Sequence, residues 1–101
     1  MSAAARTGDS CVPHCSPFSV SGGSGTVFVN NRGAARVGDS VSPHLMIIIP
    51  PKKPYCKPHS PSISSGSKSV YINGKKAARV GSSIKSCTKV SGGSGDVFIG
   101  G

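Results

Sequence analysis

The sequence lacks tryptophan and glutamate altogether, and Asp9, Asp39 and Asp96 are its only acids. Such a set offers no paired carboxylates for general acid and base chemistry. Aromatic residues make up 5% of the 101 residues and hydrophobic residues 36%, against 14 Gly and 8 Pro, which excludes a thick core. A domain this short buries a limited fraction of its surface, so a metal or a protein partner is expected to supply part of its stability. Met1 to Asp9 lacks the apolar stretch of a signal peptide. The apolar run Leu45 to Ile49 is far too short to span a bilayer. No stretch carries the 3.6-residue period of a helix. Synthesis in the cytosol is the expectation, and there the four cysteines are thiols or metal ligands rather than disulfides.

Positive charge is abundant: 12 Lys+Arg give a formal net charge of +9. Nucleic acid and anionic membranes are the usual partners of such a surface. A basic zinc-containing nucleic-acid-binding module is therefore the alternative reading. It calls for clustered cations and stacking aromatics. Here the basic residues are scattered, and the only adjacent pairs are Lys52-Lys53 and Lys75-Lys76. No nucleic-acid partner is expected. A zinc hydrolase would need an open coordination position and a base, and the absence of glutamate argues against it.

The sequence repeats itself. Ser21 to Val41 aligns with Ser64 to Ile84 without a gap, most plainly at Val27-Phe28-Val29-Asn30 on Val70-Tyr71-Ile72-Asn73 and at Ala34-Ala35-Arg36-Val37-Gly38 on Ala77-Ala78-Arg79-Val80-Gly81. A third copy is divided between the chain ends: Ser91 to Gly101 matches the first half, and Ala4-Ala5-Arg6-Thr7-Gly8-Asp9 the second. The repeat units are thus 21–44, 64–87, and 91–101 completed by 3–14. Three units that close on themselves imply a pseudo-three-fold object made by one chain, with its ends facing each other. Each unit reads as β structure. Thr26–Val29, Val70–Ile72 and Asp96–Ile99 are rich in β-branched and aromatic residues. Asn30-Asn31 and Asn73-Gly74 then signal hairpin turns. The partner strands are expected at Ala34–Val37 and Ala77–Val80. Alternation is expected to send Val27 and Val29 to one face and Phe28 to the other. Val27, Val29, Val70, Ile72, Val97 and Ile99 are the expected main apolar strand positions. Leu45 to Ile63 is a long Pro-rich excursion from the repeat.

The repeat also brings candidate ligands into register. His14 stands six residues after Gly8, His44 six after Gly38, and Cys87 six after Gly81. Three-fold symmetry carries these positions to one place on the axis, where imidazole and thiolate suit a structural zinc in tetrahedral coordination. A fourth ligand must break the symmetry. His59, in the excursion, is the first candidate, with Cys56 as its competitor; Cys11 and Cys15 flank His14 as further competitors. Four protein ligands leave no position for water, so such a zinc is structural, one per chain.

These residues resemble the PAAR-repeat family, whose name comes from a Pro-Ala-Ala-Arg motif. The chain carries Gly33-Ala34-Ala35-Arg36, Lys76-Ala77-Ala78-Arg79 and Ala3-Ala4-Ala5-Arg6, with the proline replaced each time. The resemblance implies an all-β, single-domain cone of short strands with zinc near the apex, held by three His and one Cys, which matches His14, His44, His59 and Cys87. It implies a blunt base seated on a trimeric β-helical spike of the VgrG type or its phage tail-spike equivalent, one cap per trimer, the cap being a monomer on its own. Secreted effectors and transient contact with a target membrane are further associations it implies. Such caps serve type VI secretion systems, contractile phage tails and related particles. They wait in the cytoplasm and travel with the spike on firing, or form part of a virion. Longer members carry toxin domains, and 101 residues leave no room for one.

Overall fold

The computed structural model describes residues 2–13, 17–42, 44–48, 55–59, 61–85 and 87–100, with the backbone alone for 44–48 and 55–59. Among the described residues every regular element is a strand, so the chain is an all-β domain. The strands are short: β1 Ser2–Ala3, β2 Phe28–Val29, β3 Arg32–Gly33, β4 His44–Ile48, β5 Tyr55–His59, β6 Tyr71–Ile72, β7 Lys75–Lys76 and β8 Phe98–Ile99. They pair antiparallel as β1–β8, β2–β3, β4–β5 and β6–β7. The body measures 45 × 23 × 22 Å.

Turn chemistry sets the hairpins. Asn30 and Asn31 both have positive φ (53° and 66°), as do Asn73 and Gly74 (53° and 77°). That is the two-residue turn whose twist matches antiparallel strands. It fixes the pairs Phe28↔Gly33 and Val29↔Arg32 in one hairpin, and Tyr71↔Lys76 and Ile72↔Lys75 in the other. The partner strands are therefore Arg32–Gly33 and Lys75–Lys76, not the Ala-Ala-Arg segments expected from the sequence. A tight two-residue turn leaves no room for the longer loop that the expected pairing needs. β1 and β8, from opposite ends of the chain, make a comparable pair with no turn between them: Ser2↔Ile99 and Ala3↔Phe98.

The Ala-Ala-Arg segments instead tie the hairpins together. Isolated antiparallel bridges join Ala4 to Arg79, Arg6 to Ala34 and Arg36 to Ala77. The amide of Ala5 donates to the Ala78 carbonyl (3.1 Å), that of Ala35 to Ala5 (3.0 Å), and that of Ala78 to Ala35 (2.9 Å), a closed cycle. The next turn recurs as well. Gly8, Gly38 and Gly81 have φ of 90°, 95° and 93°, the left-handed value that the third residue of a type II turn requires. Their amides donate to Val20, Ile63 and Val90, each at 2.8 Å.

Two apolar layers follow from this arrangement. One gathers Ala5, Ala35 and Ala78 with Cys11, Val41, Ile84, Val20, Ile63, Val90 and Phe18. The other gathers Ala4, Ala34 and Ala77 with Ile72 and Ile99, and Val29 packs on it. Consecutive alanines thus serve opposite layers. All six are at most 1% exposed, so a larger side chain has no solvent to escape into.

Candidate functional site

Beyond the layer of Ala5, Ala35 and Ala78, three segments run on in parallel registers. The amides of Val12, Ser42 and Lys85 donate to Lys89, Ser19 and Ser62 at 2.9, 2.8 and 3.0 Å. His14, His44 and Cys87 each stand two residues further along their own segment. Of the four expected ligands, Cys87 is described in full: it is half-buried and packs against the first apolar layer. His14 lies outside the described residues, as does Cys15. His44 opens β4 and His59 closes β5, and the two are direct partners in the ladder, His44↔His59. Cys56 pairs with Ile47, three steps along the hairpin from that position, or roughly 10 Å at strand rise. Cys11 is buried in the core, and burial first, the nearby Cys87 second, pushes its thiol up to about 11. Among the described residues no three His, Cys, Asp or Glu side chains form a metal-holding group.

Next to the other layer, six corresponding apolar side chains stay exposed. Val27, Val70 and Val97 are 38%, 37% and 37% exposed, and Phe28, Tyr71 and Phe98 are 59%, 55% and 52% exposed. Alternation was expected to send Val27 and Val29 to one face; Val29 is half-buried against the second layer, while Val27, just before the regular pair and bonded through its carbonyl to the Ala34 amide at 2.9 Å, stays 38% exposed. The inward residues are Ile72 and Ile99, with Val29 half-buried beside them. Each exposed valine follows a buried serine that holds its turn. The Ser24 hydroxyl accepts from the Thr26 and Val27 amides and donates to Asn73 Oδ1 at 2.6 Å. Ser94 does the same toward Asn30 Oδ1, and Ser67 toward the Gly100 carbonyl, both at 2.6 Å. Each hairpin is thereby clamped to the next, and the aromatic trio is held on one rigid frame.

Charged side chains brace that frame. Arg6 meets Asp9 two-pronged, Nε to Oδ2 at 3.0 Å and Nη2 to Oδ1 at 2.8 Å, and Arg36 meets Asp39 at 3.0 and 2.9 Å. The carboxylates raise both arginines above their ordinary values. Their Nη1 atoms reach Asn30 and Asn73 in the hairpin turns, at 2.9 and 3.0 Å. The side-chain amide of Asn30, and then the Ser94 hydroxyl, hold Asp96 below the usual carboxylate range. Among the described residues no helix is long and apolar enough to cross a membrane.

The chain matches the PAAR motif family over residues 2–43 and 55–101, and it therefore belongs to that family. No curated protein matches it.

Proposed function

Starting from a PAAR-motif chain, we propose a zinc-stabilised conical cap on the tip of a trimeric VgrG-type or phage-like spike, one that helps contractile injection machinery pierce a target envelope. The observation that carries this reading is the threefold recurrence of exposed apolar side chains at corresponding positions. Two sets of three corresponding side chains, Val27, Val70 and Val97, then Phe28, Tyr71 and Phe98, keep nearly equal exposure within each set. Large apolar side chains left exposed at every copy of the repeat point to a contact surface for a partner. The closed alanine cycle and the three 2.8 Å turn bonds support a pseudo-three-fold body, whose base suits three identical partner chains. A cap of this kind also covers the strand edges at the end of a β-helical spike.

At the other end, His14, His44, His59 and Cys87 would hold one zinc. The donor set fits, since imidazole and thiolate are the ligands of structural zinc. The direct pairing of His44 with His59 supports His59 as the ligand that departs from the repeat, ahead of Cys56. Bound there, zinc would cross-link the hairpin β4–β5 to the first apolar layer through Cys87. The role is mechanical rather than enzymatic: a locked tip resists unfolding when force is applied along the spike. Before firing the cap resides in the cytoplasm or on an assembled particle, and it leaves with the spike.

Native mass spectrometry of the chain mixed with a trimeric spike tests the reading. One cap per three spike chains is expected, with loss of the complex in a Phe28→Ser, Tyr71→Ser, Phe98→Ser variant. A stable homotrimer of this chain alone, or a complex indifferent to that variant, refutes it.

A further inference from the structure

Three corresponding arginines, Arg6, Arg36 and Arg79, occupy equivalent places, but only two of them find an acid. Asp9 and Asp39 correspond to Ser82, whose hydroxyl takes only the Arg79 backbone N–H, at 3.0 Å. Among the described residues no acceptor meets the Arg79 guanidinium, and the hairpin asparagine that serves Arg6 and Arg36 corresponds here to Gly100. A second change occurs at the same spot. Arg32 and Lys75 pair with Val29 and Ile72, and the residue paired with Ile99 in their place is Ser2. Arg32 reaches Asp9 at 3.2 Å, so around Arg79 serines stand in for both the acid and the long basic side chain of the sister positions. The result is a recess of about 260 Å³ lined by Arg79, Ser2, Ser65 and Ser82. Ser65 and Gly66 also belong to an adjoining groove of about 530 Å³, with Lys68, Lys75 and Lys76 on its walls and no acid.

We propose that this recess and groove bind an acidic peptide segment, one per chain, with a carboxylate seated against Arg79 where Asp9 and Asp39 sit in the sister positions. The sister pairs are the template for the chemistry: each presents Nε and Nη2 to two carboxylate oxygens. A two-pronged arginine contact selects planar oxyanions of that shape. The serine hydroxyls supply donors beside it, and the three lysines attract the acids that flank the seated one. Because the other two arginines are occupied by the chain's own aspartates, the site is single even though the repeat is threefold. A partner held here is carried in one copy, unlike the three chains proposed for the exposed apolar side chains.

The test is fluorescence anisotropy with a short fluorescein-labelled peptide of alternating Asp and Ser, at low salt. Saturation at one peptide per chain is expected. Arg79→Ala should weaken binding by about tenfold or more, the loss of a charge-assisted contact. Ser82→Asp should abolish it by supplying the missing carboxylate internally. That variant keeps the fold, because aspartate already stands at the two sister positions, and it should melt higher than the parent. Peptide binding that survives Ser82→Asp overturns the proposal. So does displacement of the peptide by an equal concentration of inorganic phosphate, or tighter binding of a single-stranded oligonucleotide of equal charge.

Discussion

The alanine cycle makes a prediction whose sign is diagnostic. Ala35→Val adds two methyl groups where Ala5 and Ala78 already meet it, all three at most 1% exposed. Were there room, the two added carbons would stabilise the fold by about 1.6 kcal/mol, and valine's preference for strands would add to the gain. Without room, overpacking costs about 1–3 kcal/mol. The two outcomes differ in direction, not only in size. The cycle of amide bonds at 2.9–3.1 Å holds the three backbones at fixed spacing, so they cannot move apart without breaking it. Destabilisation is therefore expected. At about 4–8 °C per kcal/mol for a domain near this size, the melting temperature should fall by about 4–24 °C. The assay is a thermal melt by circular dichroism, run both in saturating zinc and in chelator, because a bound metal shifts the midpoint by itself. A midpoint that rises or stays put in both conditions refutes the reasoning and leaves the small size of these residues unexplained.

Other outcomes follow from the same frame. Dialysed protein should carry one zinc per chain by elemental analysis, lose it in His14→Ala, and keep it in Cys56→Ser; retention by His14→Ala would show that the metal centre is drawn wrongly. Ile63→Ala empties the largest side chain among the fully buried described residues, and should cost about 2–5 kcal/mol in denaturant unfolding. Ile63→Val should cost no more than about 1.5 kcal/mol, since Val20 and Val90 fill the corresponding places. Deleting residues 3–6 removes Ala4 and Ala5 from both apolar layers and half of the β1–β8 pair. A deletion variant that melts with the parent would show that the chain ends do not complete the domain.

The sequence made the all-β character legible because its turn residues are specific: two consecutive positions tolerant of positive φ admit few loop geometries. It also made the correspondence of Ala4-Ala5, Ala34-Ala35 and Ala77-Ala78 legible, since a gapless repeat carries its register with it. The pairing was misjudged because strands of two residues show no alternation. Arg32–Gly33 and Lys75–Lys76 carry no β signature and are strands only because the turn places them opposite Phe28–Val29 and Tyr71–Ile72. Which side of the strand is solvent was hidden for a related reason, as alternation sets Phe28 opposite Val29 without saying which of the two is buried. At the proposed metal centre, spacing alone left His59 and Cys56 as rivals. The ladder register sets His59 opposite His44, a backbone pairing across a proline-rich excursion that no local pattern encodes and that supports the proposal of His59. The missing acid at Arg79 is legible in the repeat itself, where Asp9 and Asp39 give way to Ser82.

The closed cycle through Ala5, Ala35 and Ala78 also bears on how the molecule opens. An ordinary strand pair has ends, and its amides can exchange with solvent one after another from those ends inward. A cycle has no end from which to fray. Releasing any one of the three amides parts two segments that the third still holds in place, so opening is governed by a single event. In deuterated water these three amides should form one class and exchange together at the slowest rate in the chain, while those of Asn31 and Gly74, at the hairpin tips, exchange first. The kinetic heart of so thin a domain is then a ring of backbone, with its side chains reduced to methyl groups so that the ring can close.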